Sequence, residues 1–103
     1  MNIIKMIFFI FGFEWCELFK DICQRFEKSS YRYYSVSFED AAEMAKYIAK
    51  LCNKKHQMGV YGLTSPQIFR VDDLSVVCLG GHDDVVPVFD HLLECGPRKQ
   101  SYF

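Results

Sequence analysis

The chain has 103 residues, half of them hydrophobic and 17% aromatic, with a formal net charge of -1. This is the composition of one packed domain with a single core, and it excludes a disordered chain. The near-neutral charge, with no basic stripe, argues against an electrostatic nucleic-acid surface.

In chain order, residues 6–11 carry no polar member, which predicts a short strand buried on both faces and ending at Gly12. Ile3, Ile4 and the apolar run after them resemble a secretory hydrophobic region. Lys5 splits that stretch, no small-residue cleavage site follows, and Glu14 comes soon after. The run is also too short to cross a bilayer, so no membrane partner is expected. Phe19, Ile22, Cys23 and Phe26 fall at i, i+3, i+4 and i+7 and predict a helix over 16–28, stopped by Ser29-Ser30. Residues 31–36 are rich in strand formers. Ser37 is then expected to cap a second helix, with Asp40 at its third position. That helix has a buried stripe of Ala41, Met44, Ala45 and Ile48, extended by Leu51 and Cys52. Strand, helix, strand in this order imply a parallel pair joined by a right-handed crossover.

Residues 53–62 form a loop by composition, with Lys54, Lys55 and His56 ahead of two glycines. Two strands, 67–71 and 74–79, are joined as a hairpin at Asp72-Asp73. Gly80-Gly81 breaks the second of them. A last helix starts at His82 or Asp83 and carries Val85, Val88, Phe89, Leu92 and Leu93, with Pro87 near its first turn and Gly96-Pro97 at its end. The expected organisation is one domain over 1–95 and a loose tail over 96–103. The order β-α-β-α-β-β-α makes a small α/β sandwich.

Cys16 stands where the first strand hands over to the first helix. Exposed backbone N–H groups at a helix start favour negative charge, and the thiolate is the reactive form of sulfur. Cys16 is therefore the candidate for chemistry. Five cysteines are an odd number without an even framework of spacings, which points to reduced thiols in the cytoplasm. Cys23 lies two helical turns beyond Cys16, about 10 Å at 1.5 Å per residue, too far for a resolving partner. Cys52 and Cys78 are expected as small buried apolar residues. His91 and Cys95, and likewise Cys78 and His82, stand four apart. Neither pair makes a zinc site without two more ligands, so no metal is expected.

Two further segments carry a family resemblance. Leu63-Thr64-Ser65-Pro66-Gln67-Ile68-Phe69 resembles the threonine-x-proline-glutamine-hydrophobic-phenylalanine segment of glutaredoxins. Leu79-Gly80-Gly81-His82-Asp83-Asp84 resembles their glycine-glycine-x-aspartate segment, at the usual distance downstream. The stretch 59–69 is most similar to the bacteriophage members, which implies the host cytoplasm as the place of action. The resemblance covers roughly residues 5–94, nearly the whole chain, and implies a thioredoxin-like (glutaredoxin) fold with a four-stranded mixed sheet flanked by helices.

For the site, the resemblance implies a cis bond before Pro66, with the Ser65 backbone beside the Cys16 sulfur. Thr64, Ser65 and Pro66 would then line a groove for a peptide or glutathione. Gly80 and Gly81 would allow close backbone approach. His82 and Asp83 open the last helix, where N–H groups would hold the γ-glutamyl carboxylate and Asp83 the ammonium of glutathione. Trp15 would pack over the thiol or anchor its loop.

The redox centre departs from the family pattern. Where glutaredoxins have Cys-Pro-Tyr-Cys or Cys-Gly-Phe-Ser, this chain has Cys16-Glu17-Leu18-Phe19. Phe19 removes the second thiol and extends the core stripe of Ile22 and Phe26. Phe13 stands where a basic residue is usual, and Glu14 and Glu17 oppose charge on the sulfur. A cluster-binding role is disfavoured because Glu17-Leu18 replace the Gly-Phe that leaves room for it. Two functions follow. One is a monothiol oxidoreductase in which Cys16 attacks glutathione mixed disulfides, with glutathione as co-substrate and a glutathionylated or disulfide-containing protein as partner. The other is a redox-inactive module that binds a partner protein or peptide through the Pro66 groove. A monomer or weak dimer is expected in either case.

Overall fold

A computed structural model of the chain describes residues 6–51, 64–73 and 75–97. Its elements are β1 (Ile7–Phe13), α1 (Glu17–Glu27), β2 (Tyr33–Phe38), α2 (Ala41–Leu51), β3 (Gln67–Val71), β4 (Val76–Gly80) and α3 (His82–Val85), followed by a 3-10 segment, Val86–His91. The strands form one mixed sheet in the order β2-β1-β3-β4. β1 runs parallel to β2 and antiparallel to β3, and β3 and β4 form an antiparallel hairpin. This is the α/β order the sequence pattern predicts. Cys52, the 53–62 loop with Lys54, Lys55 and His56, Leu63, Leu74, residues 1–5 and the tail beyond Pro97 lie outside the described residues.

The apolar run of β1 is explained by what covers it. Phe8 and Ile10 join Phe19, Ile22 and Phe26 of α1 and, from the hairpin and the C-terminal segment, Ile68, Leu79, Val85 and Leu92. On the opposite face Phe11 joins Phe38, Met44, Ile48 and Phe69 beneath α2. A strand covered on both faces has no solvent side for a polar residue. Each fully buried side chain of this size contributes about 1.5–3 kcal/mol. No described helix is long and apolar enough to cross a membrane.

Several boundaries move from their expected places. β1 does not stop at Gly12, because the parallel ladder continues through Gly12 opposite Ser37 and Phe13 opposite Phe38. The same ladder makes Ser37 a strand residue and not a helix cap. Asp40 takes the capping role, its Oδ1 accepting the Ala42 N–H at 2.7 Å. α2 buries Met44 and Ile48 while Ala41 stays exposed. β4 begins at Val76 and keeps Gly80 within the strand.

The last helix is the largest departure. α3 has only four residues, and the chain continues as a 3-10 segment with a non-helical break at Val88 (φ -119°, ψ 23°). Pro87 is the cause: it has no N–H to give the carbonyl four residues back, so an α-helix cannot run through it. Val85 and Leu92 are buried and Val88 and Phe89 half-buried, but Leu93 is exposed.

Side chains from elsewhere hold this irregular segment. The Tyr31 hydroxyl donates to Phe89 O at 2.5 Å and accepts the Leu92 N–H at 3.3 Å. Arg70 Nη1 donates to Leu92 O and Cys95 O, each at 2.6 Å. Hydrogen bonds from a charged donor are worth about 1.5–3 kcal/mol. Arg70→Met is expected to lower stability by about that amount, read as a lower urea midpoint at unchanged slope.

Candidate active site around Cys16

Cys16 is the residue that caps α1, with extended backbone angles (φ -84°, ψ 120°). A turn at the end of β1 delivers it there: the Cys16 N–H donates to Phe13 O at 3.0 Å, and Cys16 O accepts the Lys20 N–H at 3.1 Å. The Glu14 N–H donates across to Phe38 O at 3.1 Å, tying the turn to β2.

The half-buried thiol donates to Ser65 O at 3.5 Å. In return the Ser65 hydroxyl accepts the Phe13 N–H at 2.9 Å. Two hydrogen bonds thus clasp the cysteine turn to the segment before β3. That segment is itself fixed. The Ser65-Pro66 bond is cis, Pro66 is fully buried, and buried Gln67 donates from Nε2 to Thr64 O at 3.2 Å.

The glycine pair closes the third side. A side-chain carbon on Gly81 would sit 3.3 Å from Pro66 O, so the two backbones lie against one another. Gly80 has φ +108°, a conformation that favours glycine, and a side-chain carbon there would meet Asp84 Oδ2 at 2.4 Å. Asp84 Oδ2 accepts the Gly81 N–H at 2.9 Å. Cys16, Ser65, Pro66 and Gly81 are therefore brought together, with Thr64 exposed at the rim.

Other expected site residues are placed differently. Trp15 stacks on Phe13 (centroids 5.2 Å apart, planes at 18°) and stays 68% exposed, which makes it an anchor of the loop. Asp83 projects into solvent and, among the described residues, bonds its neighbour His82 at Nδ1, 3.0 Å away. The His82 ring turns toward α1, where Nε2 meets Asp21 Oδ2 at 2.7 Å. Phe19, three residues beyond Cys16, is buried in the core. Cys23 is half-buried, and burial pushes its thiol pKa up against the opposing effect of a hydrogen bond with Ser35.

Local patterns in the sequence do not announce Gln67 as a support of the segment before β3, nor Asp21, itself paired with Arg25, as the partner of His82. The one visible signal was the i, i+4 spacing of Asp21 and Arg25, whose ion pair measures 2.9 Å.

That network sets a pH dependence. Burial of the His82 ring works against its charge, but hydrogen bonds to Asp21 and Asp83 outweigh it and hold the pKa above the ordinary 6.5. The Asp21 carboxyl lies below its ordinary 3.8, held there by Arg25 first and His82 second. A raised histidine stabilises the fold fully below 6.5, and this is lost as pH rises through its folded value. A lowered aspartate stabilises above 3.8, and this is lost as pH falls through its folded value. Stability is expected to peak between those limits. In His82→Gln the decline on the alkaline side should flatten, measured as urea midpoint against pH.

Compared with protein-family models, curated proteins and solved structures, the chain gives no match.

Proposed function

We propose that the chain is a monothiol oxidoreductase of the glutaredoxin type, built on a thioredoxin-like fold and acting on glutathione mixed disulfides through Cys16. The observation that carries this reading is the position of the Cys16 sulfur: at the start of α1, 3.5 Å from the carbonyl that precedes cis-Pro66. An extended substrate segment laid along Thr64 and Ser65 would pass directly over that sulfur. The half-buried thiol is open enough to be reached from solvent.

The reaction needs one cysteine. The Cys16 thiolate attacks the glutathione sulfur of a protein–glutathione disulfide, and the substrate protein leaves as a thiolate. Cys16 then carries glutathione. The thiolate of a second glutathione attacks the bound glutathione's sulfur, forming oxidised glutathione and returning Cys16 as thiolate. The reducing cytoplasm supplies that second thiol. The backbone at Gly81, which lies against Pro66 O, is where the γ-glutamyl end of the ligand would rest.

The test is reduction of a small glutathione mixed disulfide by the full chain beside Cys16→Ser. The parent should turn over and the variant should fall to the uncatalysed rate. Equal rates would sink the proposal.

A second reading has its own observation. Trp15 and Leu18 flank Cys16 at 68% and 46% exposure, and Phe19 fills the second-thiol place. That arrangement suits a redox-inactive module that docks a partner peptide beside Pro66. Absence of turnover, together with peptide binding retained in Cys16→Ser, would select it.

A further inference from the structure

We propose that His82 is a positioning residue: clamped between Asp21 of α1 and Asp83 of α3, it holds the Cys16 end of α1 against the backbone of Pro66 and Gly81. For its effect on turnover the inference rests on Cys16 being the working thiol; for its effect on geometry it does not.

Both ring nitrogens face carboxylate oxygens, Nε2 to Asp21 at 2.7 Å and Nδ1 to Asp83 at 3.0 Å. An ionised carboxylate only accepts hydrogen bonds, so each nitrogen must bring a proton, and only the imidazolium has two. When the ring is neutral, one nitrogen turns a lone pair toward a carboxylate. The ring is 15% exposed, against 96% for the Asp83 side chain and 43% for that of Asp21, so the contact to α1 is the better shielded of the two. The charged groups facing the ring are Asp21 from α1 and Asp83 from its own helix, and Arg25 of α1 pairs with the Asp21 carboxylate. Asp21 Oδ2 accepts from Arg25 as well, so it keeps a cation when His82 is neutral.

The clamp sits between the two parts of the site. Gly81, next in the chain to His82, lies against Pro66 O. Asp21 is one and a half turns along α1 from Cys16 by helix geometry. At 3.5 Å the bond from the Cys16 sulfur to Ser65 O leaves little slack for α1 to shift.

The test is a pH titration of the full chain by NMR, following the His82 ring and the backbone amides of Cys16, Leu18 and Gly81. The amides are expected to share the ring's midpoint, above pH 6.5. In His82→Gln that step should vanish from all three. Amides that ignore the ring's midpoint, or that keep the step in His82→Gln, overturn the proposal. Should His82→Gln not fold, Asp21→Asn serves: the ring's midpoint should fall, since Asp21 helps to raise it, Gly81 should still follow the ring and Leu18 should lose the step; a Leu18 that still follows the ring overturns the proposal. On the mixed disulfide, kcat/KM of the parent over His82→Gln should be roughly tenfold below the midpoint and near one above it, as for a shift of less than the full ångström that can cost about a hundredfold. A flat ratio with turnover intact overturns the positioning role. If neither protein turns over, the oxidoreductase reading fails, and the amide titration still decides for His82.

Discussion

Phe19→Cys is expected to destabilise the reduced chain by about 3 kcal/mol, not to create a working dithiol with Cys16. Phe19 is 8% exposed and belongs to the cluster of Phe8, Ile10, Ile22 and Phe26. Truncating a buried phenylalanine to alanine costs about 3–5 kcal/mol, and a cysteine sulfur refills only part of the space. In a domain of this size each kcal/mol moves the melting temperature by about 4–8 °C, so a drop of well over 10 °C should appear in thermal melts under reductant. Reducing conditions matter, because a disulfide between positions 16 and 19 would stabilise the variant and mask the loss. A parent-like melt would mean that Phe19 is not part of the core. The expected result would place Phe19 in the hydrophobic core, where a thiol three residues beyond Cys16 could not be added without a loss of packing.

What the sequence makes legible follows the range of each interaction. The stripe of Phe19, Ile22 and Phe26 was readable because helix spacing is local, and all three are buried. β3 falls on 67–71 as expected, since Pro66 and Asp72 punctuate it on either side. The cis bond at Pro66 and the approach of Cys16 to Ser65 were implied by the two glutaredoxin-like segments, and both are present in the structure. Ser37 misleads because a local capping signal competes with a strand partner 25 positions back in the chain, Gly12, and the ladder wins. At the C-terminus the apolar spacing identified Val85 and Leu92 as buried, but it carried no information on Pro87 dividing the helix. The Phe13–Ser65 clasp spans 52 residues and the His82–Asp21 contact spans 61, and neither leaves a trace in local pattern.

Gly12→Ala is expected to cost about 3 kcal/mol, the upper end of the usual range for overpacking a core. An alanine methyl at Gly12 would lie 2.2 Å from Phe19 Cδ1, 2.4 Å from Cγ and 2.8 Å from Cβ. Rotating the Phe19 side chain moves the first two atoms but leaves Cβ, which is fixed by the backbone of α1. Relief therefore requires the helix to lift from β1, and Cys16 caps that helix. The same substitution should be cheaper where Phe19 is already alanine, because two of the three clashing atoms are then gone. Urea unfolding of Gly12→Ala, Phe19→Ala and the double variant should give a coupling of more than about 1 kcal/mol, within the range seen for residues in contact. Strict additivity would mean that the glycine and the ring do not interlock. With the coupling present, Gly12 and Phe19 form one packing unit: the Phe19 ring fits only because the strand beneath it has no side chain at Gly12.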